Sequence, residues 1–169
     1  FRSPGNIGAP IELSETTRVV EFNNLPAMQA ALEKGDVAAI LMEPAMTNIG
    51  IVLPDPGYLE AVGALAKKFG AVWIIDETHT ISVGPGGMTK LHNLKPDMLT
   101  IGKAIAGGIP TGTFGMTNEI ASSIASKVER EIIDTGGIGS TLAGNALSLA
   151  AMKTTLDRKS TRLNSSHIT

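Results

Sequence analysis

The sequence predicts an α/β fold, a mostly parallel sheet with helices on both faces. Two short runs, residues 37–42 and 71–75, are apolar throughout, as strands covered on both sides are. Between them, Leu59, Val62, Leu65 and Ala66 recur at helical spacing. Strand, helix and strand in that order give a right-handed crossover and therefore parallel pairing.

The elements follow in order. Pro4, Gly5, Gly8 and Pro10 make residues 1–16 loop or extended chain. Residues 18–22 (Arg-Val-Val-Glu-Phe) read as a short strand ending at Asn23-Asn24. Pro26 suits a helix's first turn, and residues 27–34 are good helix formers stopped by Gly35. The strand at 37–42 ends at Glu43-Pro44, since proline resists continuation. After a loop with Asn48, Gly50, Pro54, Asp55 and Pro56, a helix spans about 57–69, with Gly70 as its stop. The strand at 71–75 then runs into Asp76-Glu77-Thr78-His79-Thr80. A long polar loop through Gly84-Pro85-Gly86-Gly87 leads to strands at 97–101 and 111–116. Thr117 or Asn118 caps a helix to about Lys127, residues 135–145 form a Gly/Ser/Thr loop, and 146–156 are helical. From Asp157 onward the apolar periodicity breaks. Residues 157–169 therefore read as a polar, non-native tail, resembling translated linker, and 1–156 as the body of the domain.

Composition excludes several classes. At 43% hydrophobic and 18% charged, the chain is globular rather than disordered. Its 169 residues support one core, and a net charge of −2 offers no basic footprint for nucleic acid. No run approaches the roughly 20 apolar residues of a membrane helix. The absence of cysteine removes thiolate metal sites and fits a reducing, cytoplasmic setting. The start, Phe1-Arg2-Ser3-Pro4-Gly5, has neither an initiator Met nor the apolar core of a leader.

Three features carry chemistry. Lys103 sits among Ile101, Gly102, Ala104, Ile105 and Ala106. An amine desolvated by such neighbours becomes a nucleophile suited to Schiff-base chemistry, although a lysine snorkelling from a core element fits the same pattern. Ala104 after Gly102-Lys103, where Ser or Thr would be required, rules out a phosphate loop of the Gly-Lys-Ser/Thr kind. Asp76 closes an apolar strand in the crevice where open sheets place ligands. A carboxylate there can hold a pyridinium N–H; alternatively, Asp76-Glu77 is a helix cap or a metal acid pair. His79, His92 and His167 show no metal-ligand spacing. Finally, Gly139-Ser140-Thr141-Leu142-Ala143-Gly144-Asn145 opens a helix, an arrangement that binds anions or simply caps.

Taken together, Glu43-Pro44, Pro56-Gly57, Ile75-Asp76-Glu77, Pro96-Asp97, Gly102-Lys103, Gly107-Gly108-Ile109-Pro110 and residues 140–145 resemble the class III aminotransferases. These are fold-type I enzymes that use pyridoxal 5'-phosphate, and the subgroup around glutamate-1-semialdehyde aminomutase is nearest. The resemblance implies that residues 1–156 are part of the cofactor-binding large domain, an internal piece of a longer homodimeric enzyme and inactive by itself. It implies that Asp76 pairs with the pyridine nitrogen, Lys103 bonds the cofactor aldehyde, and Thr141 reaches the phosphate from the neighbouring subunit. Thr78 stands where the family has an apolar residue against the ring face. His79 stands near the ring hydroxyl, where Gln, Met or Ile is usual. The implied reaction moves an amino group from a small-molecule amino donor to a keto acid or aldehyde acceptor. An intramolecular amino shift is the alternative, and a non-catalytic binding domain retaining the fold is the alternative from another class.

Overall fold

The computed structural model describes residues 12–126 and 142–165, with side chains in the last helix described as far as Arg158. After a single helical turn, α1 (Leu13–Thr16), the chain builds α2 (Leu25–Leu32), β1 (Ala39–Met42), α3 (Tyr58–Phe69) and β2 (Val72–Asp76). It continues through α4 (Gly87–Leu91), β3 (Met98–Ile101), β4 (Thr113–Met116), α5 (Asn118–Ala125) and α6 (Ala146–Ser165). The four strands form one sheet in the order β1-β2-β3-β4. β1, β2 and β3 are parallel, with Ile40 opposite Trp73 and Asp76 opposite Thr100, while β4 returns antiparallel to β3. The mostly parallel α/β sheet expected from the sequence is present.

Local chemistry sets the helix ends. The Asn24 side chain accepts from the Ala27 N–H and Pro26 occupies the first turn of α2, so one orphan donor is satisfied and another never exists. α3 ends at Gly70 in the left-handed region, with Lys67 and Lys68 in the last turn where the helix dipole favours cations. Its inward face supplies Leu59, Val62 and Ala66, which join Met28, Leu32, Ile40, Trp73 and Ile75 in one core. Phe22 meets Tyr58 edge-to-face at 5.1 Å between ring centroids. At Gly63 the helix rides on the Trp73 ring so closely that an added methyl would lie 2.6 Å from its Cζ3. Overpacking of that kind costs about 1–3 kcal/mol. Burial of Tyr58 pushes its phenol above the usual range.

Several expectations need correction, beginning with residues 1–16, expected as loop or extended chain but carrying the helical turn α1. Residues 18–22 keep the in-and-out alternation of a strand, with Val20 and Phe22 against the core and Val19 exposed, but they join no ladder. Their polar anchor is instead Arg18, which donates to Asp36 Oδ1 at 2.6 Å and to the Ala31 carbonyl at 2.9 Å, beside the end of α2. The Arg18 guanidinium holds the Asp36 carboxyl below the usual carboxylate range. β1 is covered on one face only: Ile40 is buried, whereas Leu41 is 69% exposed. The long polar loop after β2 is built instead, from a 3₁₀ turn (Thr80–Val83) and α4. The backbone of α6 runs to Ser165, across the point where the apolar periodicity stops.

Candidate functional site

β2 and β3 run parallel, so both end at the same side of the sheet, and that end carries both the acid and the turn that holds the lysine. Asp76 is the last residue of β2 and is half-buried. Its Oδ1 accepts from the Thr78 N–H at 2.8 Å, an Asx turn that bends the chain out of the strand. Oδ2 takes no hydrogen bond from the described residues and stays available as an acceptor. Thr78 therefore sits on the turn itself, and its side chain faces the next strand's exit. A Cβ at Gly102 would lie 3.6 Å from Thr78 Oγ1 and 3.9 Å from the Thr111 carbonyl.

Lys103 opens a 3₁₀ turn (Lys103–Ala106) two residues after β3. Its φ of 48° is left-handed, a conformation that costs a non-glycine residue about 1–2 kcal/mol. Ile105 and Ala106 of the same turn are buried, and the turn packs against α6, where Thr155 Oγ1 would stand 3.0 Å from a Cβ at Gly107. The buried neighbours thus anchor the turn and point the lysine outward. The expectation that apolar residues would desolvate the amine is not met, because Lys103 is exposed in this chain. The amine instead has a polar partner: Nζ lies 2.6 Å from His79 Nε2. Acid, hydroxyl, imidazole and amine from the sequence reading are therefore gathered on two neighbouring strand exits. Thr141 and Ser140 lie outside the described residues.

Glu77, which the sequence pairs with Asp76 as a cap or metal acid, is structural. It is fully buried and faces away from the site. Its Oε2 accepts from Thr80 Oγ1 (2.5 Å) and the Met88 N–H (3.2 Å), and its Oε1 from the Thr89 N–H and hydroxyl. The carboxylate holds the first turn of α4 and the 3₁₀ turn after His79 together. The sequence signal for this was an acid directly after a buried strand with Gly86-Gly87 downstream, since Gly87 has no room for a Cβ beside that carboxylate. Among the described residues no group of three or more His, Asp or Glu could hold a metal. Asp97 is also structural: its Oδ2 accepts from the Trp73 N–H at 2.8 Å, and its N–H donates to the Trp73 carbonyl. A concavity of about 700 Å³ lies at the opposite end of the sheet, beside Trp73, Lys95 and Asp97. Its lining includes neither Asp76 nor Lys103, so the chemistry is placed by the side chains rather than by this hollow.

The family model for class-III aminotransferases matches residues 5–163. This chain belongs to that family. It is 38% identical over 154 residues to the glutamate-1-semialdehyde 2,1-aminomutase of Acidobacterium capsulatum, covering 89% of this chain and 34% of that protein. A crystal structure of a glutamate-1-semialdehyde-aminomutase variant from Pseudomonas aeruginosa PAO1, in complex with PMP, superposes with a TM-score of 0.77 at 45% identity. That match covers 87% of this chain and 33% of the other. An acetylornithine aminotransferase from Elizabethkingia anophelis follows at 30% identity and a TM-score of 0.65, over 82% of this chain and 33% of that one. The chain spans about a third of the length of the curated relatives it matches. Among the described residues, no helix is long and apolar enough to cross a membrane.

Proposed function

We propose that this segment supplies the lysine and the acid of a pyridoxal 5'-phosphate site in an enzyme that transfers amino groups. The observation that carries the reading is the pairing of exits: Asp76 stands opposite Thr100 in the ladder, and Lys103 opens the turn that leaves the same neighbouring strand. The donor set fits the cofactor. Asp76 Oδ2 is an open acceptor for a ring N–H, and the exposed Lys103 amine is a nucleophile for an aldehyde. When bound, the cofactor supplies the electron sink that stabilises negative charge at a substrate's α carbon.

The chain's own residues do the rest. The Asp76 carboxylate favours the protonated ring nitrogen, because an adjacent opposite charge stabilises the charged form. Thr78 fills the space between the two strand exits, against the bare backbone of Gly102. With the cofactor and substrate bound, Lys103 would be the base that takes a proton from the α carbon and the acid that returns it two atoms along, a 1,3-shift. In the whole protein we place Thr141 at the cofactor phosphate, supplied by the partner subunit of a homodimer. We treat residues 157–169 as outside the native domain and the cytoplasm as the setting.

The likeness to glutamate-1-semialdehyde 2,1-aminomutases favours a second reading, an amino shift within one substrate. Incubating the purified whole protein, of which this chain is a segment, with an amino donor and a keto acid, or with one amino aldehyde alone, separates the two. Consumption of the keto acid in step with the donor establishes transamination, and isomerisation without an acceptor establishes the shift. A folded protein that takes up no cofactor overturns both and leaves a binding domain that retains the fold.

A further inference from the structure

We propose that His79 is a positioning residue for Lys103: its Nε2 accepts a hydrogen bond from the lysine amine and holds that amine at the strand exits for reaction with an aldehyde. The inference rests on the cofactor reading above and concerns how the amine is held.

The two nitrogens are 2.6 Å apart. A lysine nitrogen carries N–H donors whether charged or neutral, so an Nε2 lone pair on the imidazole can serve it in either state. The proposed direction corresponds to the His79 tautomer with its proton on Nδ1. Both residues stand on anchored backbone. Lys103 follows Gly102 in a left-handed conformation, and its turn is secured by buried Ile105 and Ala106. His79 leads into the 3₁₀ turn at Thr80, and its carbonyl accepts from Ser82 Oγ at 2.7 Å and from the Ser82 N–H at 3.2 Å. Thr80 is in turn tied to buried Glu77. Two fixed backbones thus carry side chains that reach toward each other. A free lysine samples many rotamers, and a single fixed acceptor selects those that keep the amine beside Asp76's strand end. His79 is exposed, which sets the scale of the effect: one solvent-accessible hydrogen bond rather than a buried network.

The test measures how fast Lys103 is trapped when the purified protein is mixed with pyridoxal phosphate and reduced with borohydride, read by peptide mass. His79→Gln, whose amide oxygen can take the same bond, is expected to trap at the wild-type rate. His79→Phe, a ring without an acceptor, is expected to trap about fivefold more slowly, the worth of one partly solvated hydrogen bond. Ring ¹⁵N shifts read the contact itself: neutral His79 should carry its proton on Nδ1 in the wild type and lose that preference in Lys103→Met. Equal trapping by His79→Phe and wild type, or a protonated Nε2 in neutral wild-type His79, overturns the proposal. Failure of the wild type to trap at Lys103 sinks the cofactor reading instead, and the ring shifts still decide the hydrogen bond. Should His79→Phe not fold, the Lys103→Met comparison decides alone.

Discussion

Replacing Glu77 with alanine is expected to destabilise the fold by about 3 kcal/mol or more. The side chain is fully buried and satisfies four donors: the Thr80 and Thr89 hydroxyls and the Met88 and Thr89 N–H groups. Alanine leaves those donors facing a cavity, and each unsatisfied buried donor costs on the order of 1–3 kcal/mol before water or relaxation repairs part of it. The negative charge at the start of α4 is lost as well, in a place where the helix dipole favours an anion. Glu77→Gln keeps the volume and one acceptor oxygen but turns an NH₂ group toward donors, so an intermediate loss is expected. Denaturant unfolding checks both variants. A Glu77→Ala protein within about 0.5 kcal/mol of wild type, the range of an ordinary surface substitution, would contradict the assignment of Glu77 as the clamp under the site.

Asp76→Asn is expected to leave the fold nearly unchanged and to slow amino transfer by about 10²–10³-fold, the usual effect of removing one preorganised electrostatic partner. Asparagine keeps an oxygen for the Thr78 N–H, so the turn out of β2 survives. What disappears is the charge on the open side of the carboxylate, which on the proposed reading keeps the cofactor's ring nitrogen protonated. Turnover of the whole protein at saturating pyridoxal phosphate, compared with thermal midpoints, separates the two roles. An asparagine variant with wild-type turnover would show that Asp76 is only a turn residue.

Much of the fold was legible because its signals are local. The apolar run 71–75 and the helical spacing of Leu59, Val62 and Ala66 specify β2 and α3 without reference to anything distant. The errors arose where tertiary context decides. Residues 18–22 alternate like a strand, yet a strand exists only where a neighbour offers a ladder, and here the polar contacts run from Arg18 to Asp36 and the Ala31 carbonyl. The segment after Asp76 read as loop because its glycines and polar residues lack periodicity. Its order comes from Glu77, a contact ten or more residues away in sequence. The strand at 97–101 is legible and Lys103 follows it by two residues, but the apolar neighbours of Lys103 are the buried side of a short turn rather than a pocket around the amine. Its contact with His79 has no signature in composition, since it depends on two strand exits being adjacent.

Whether Asp76 and Lys103 form two corners of a pyridoxal phosphate site is decided by which lysine the cofactor bonds. The purified protein is incubated with pyridoxal phosphate, reduced with borohydride and digested, and the modified peptide is identified by mass. Phosphopyridoxyl mass is expected on Lys103, with Asp76→Asn weakening its capture. Modification spread over Lys67, Lys68, Lys90 and Lys95 while Lys103 stays unmodified would contradict it.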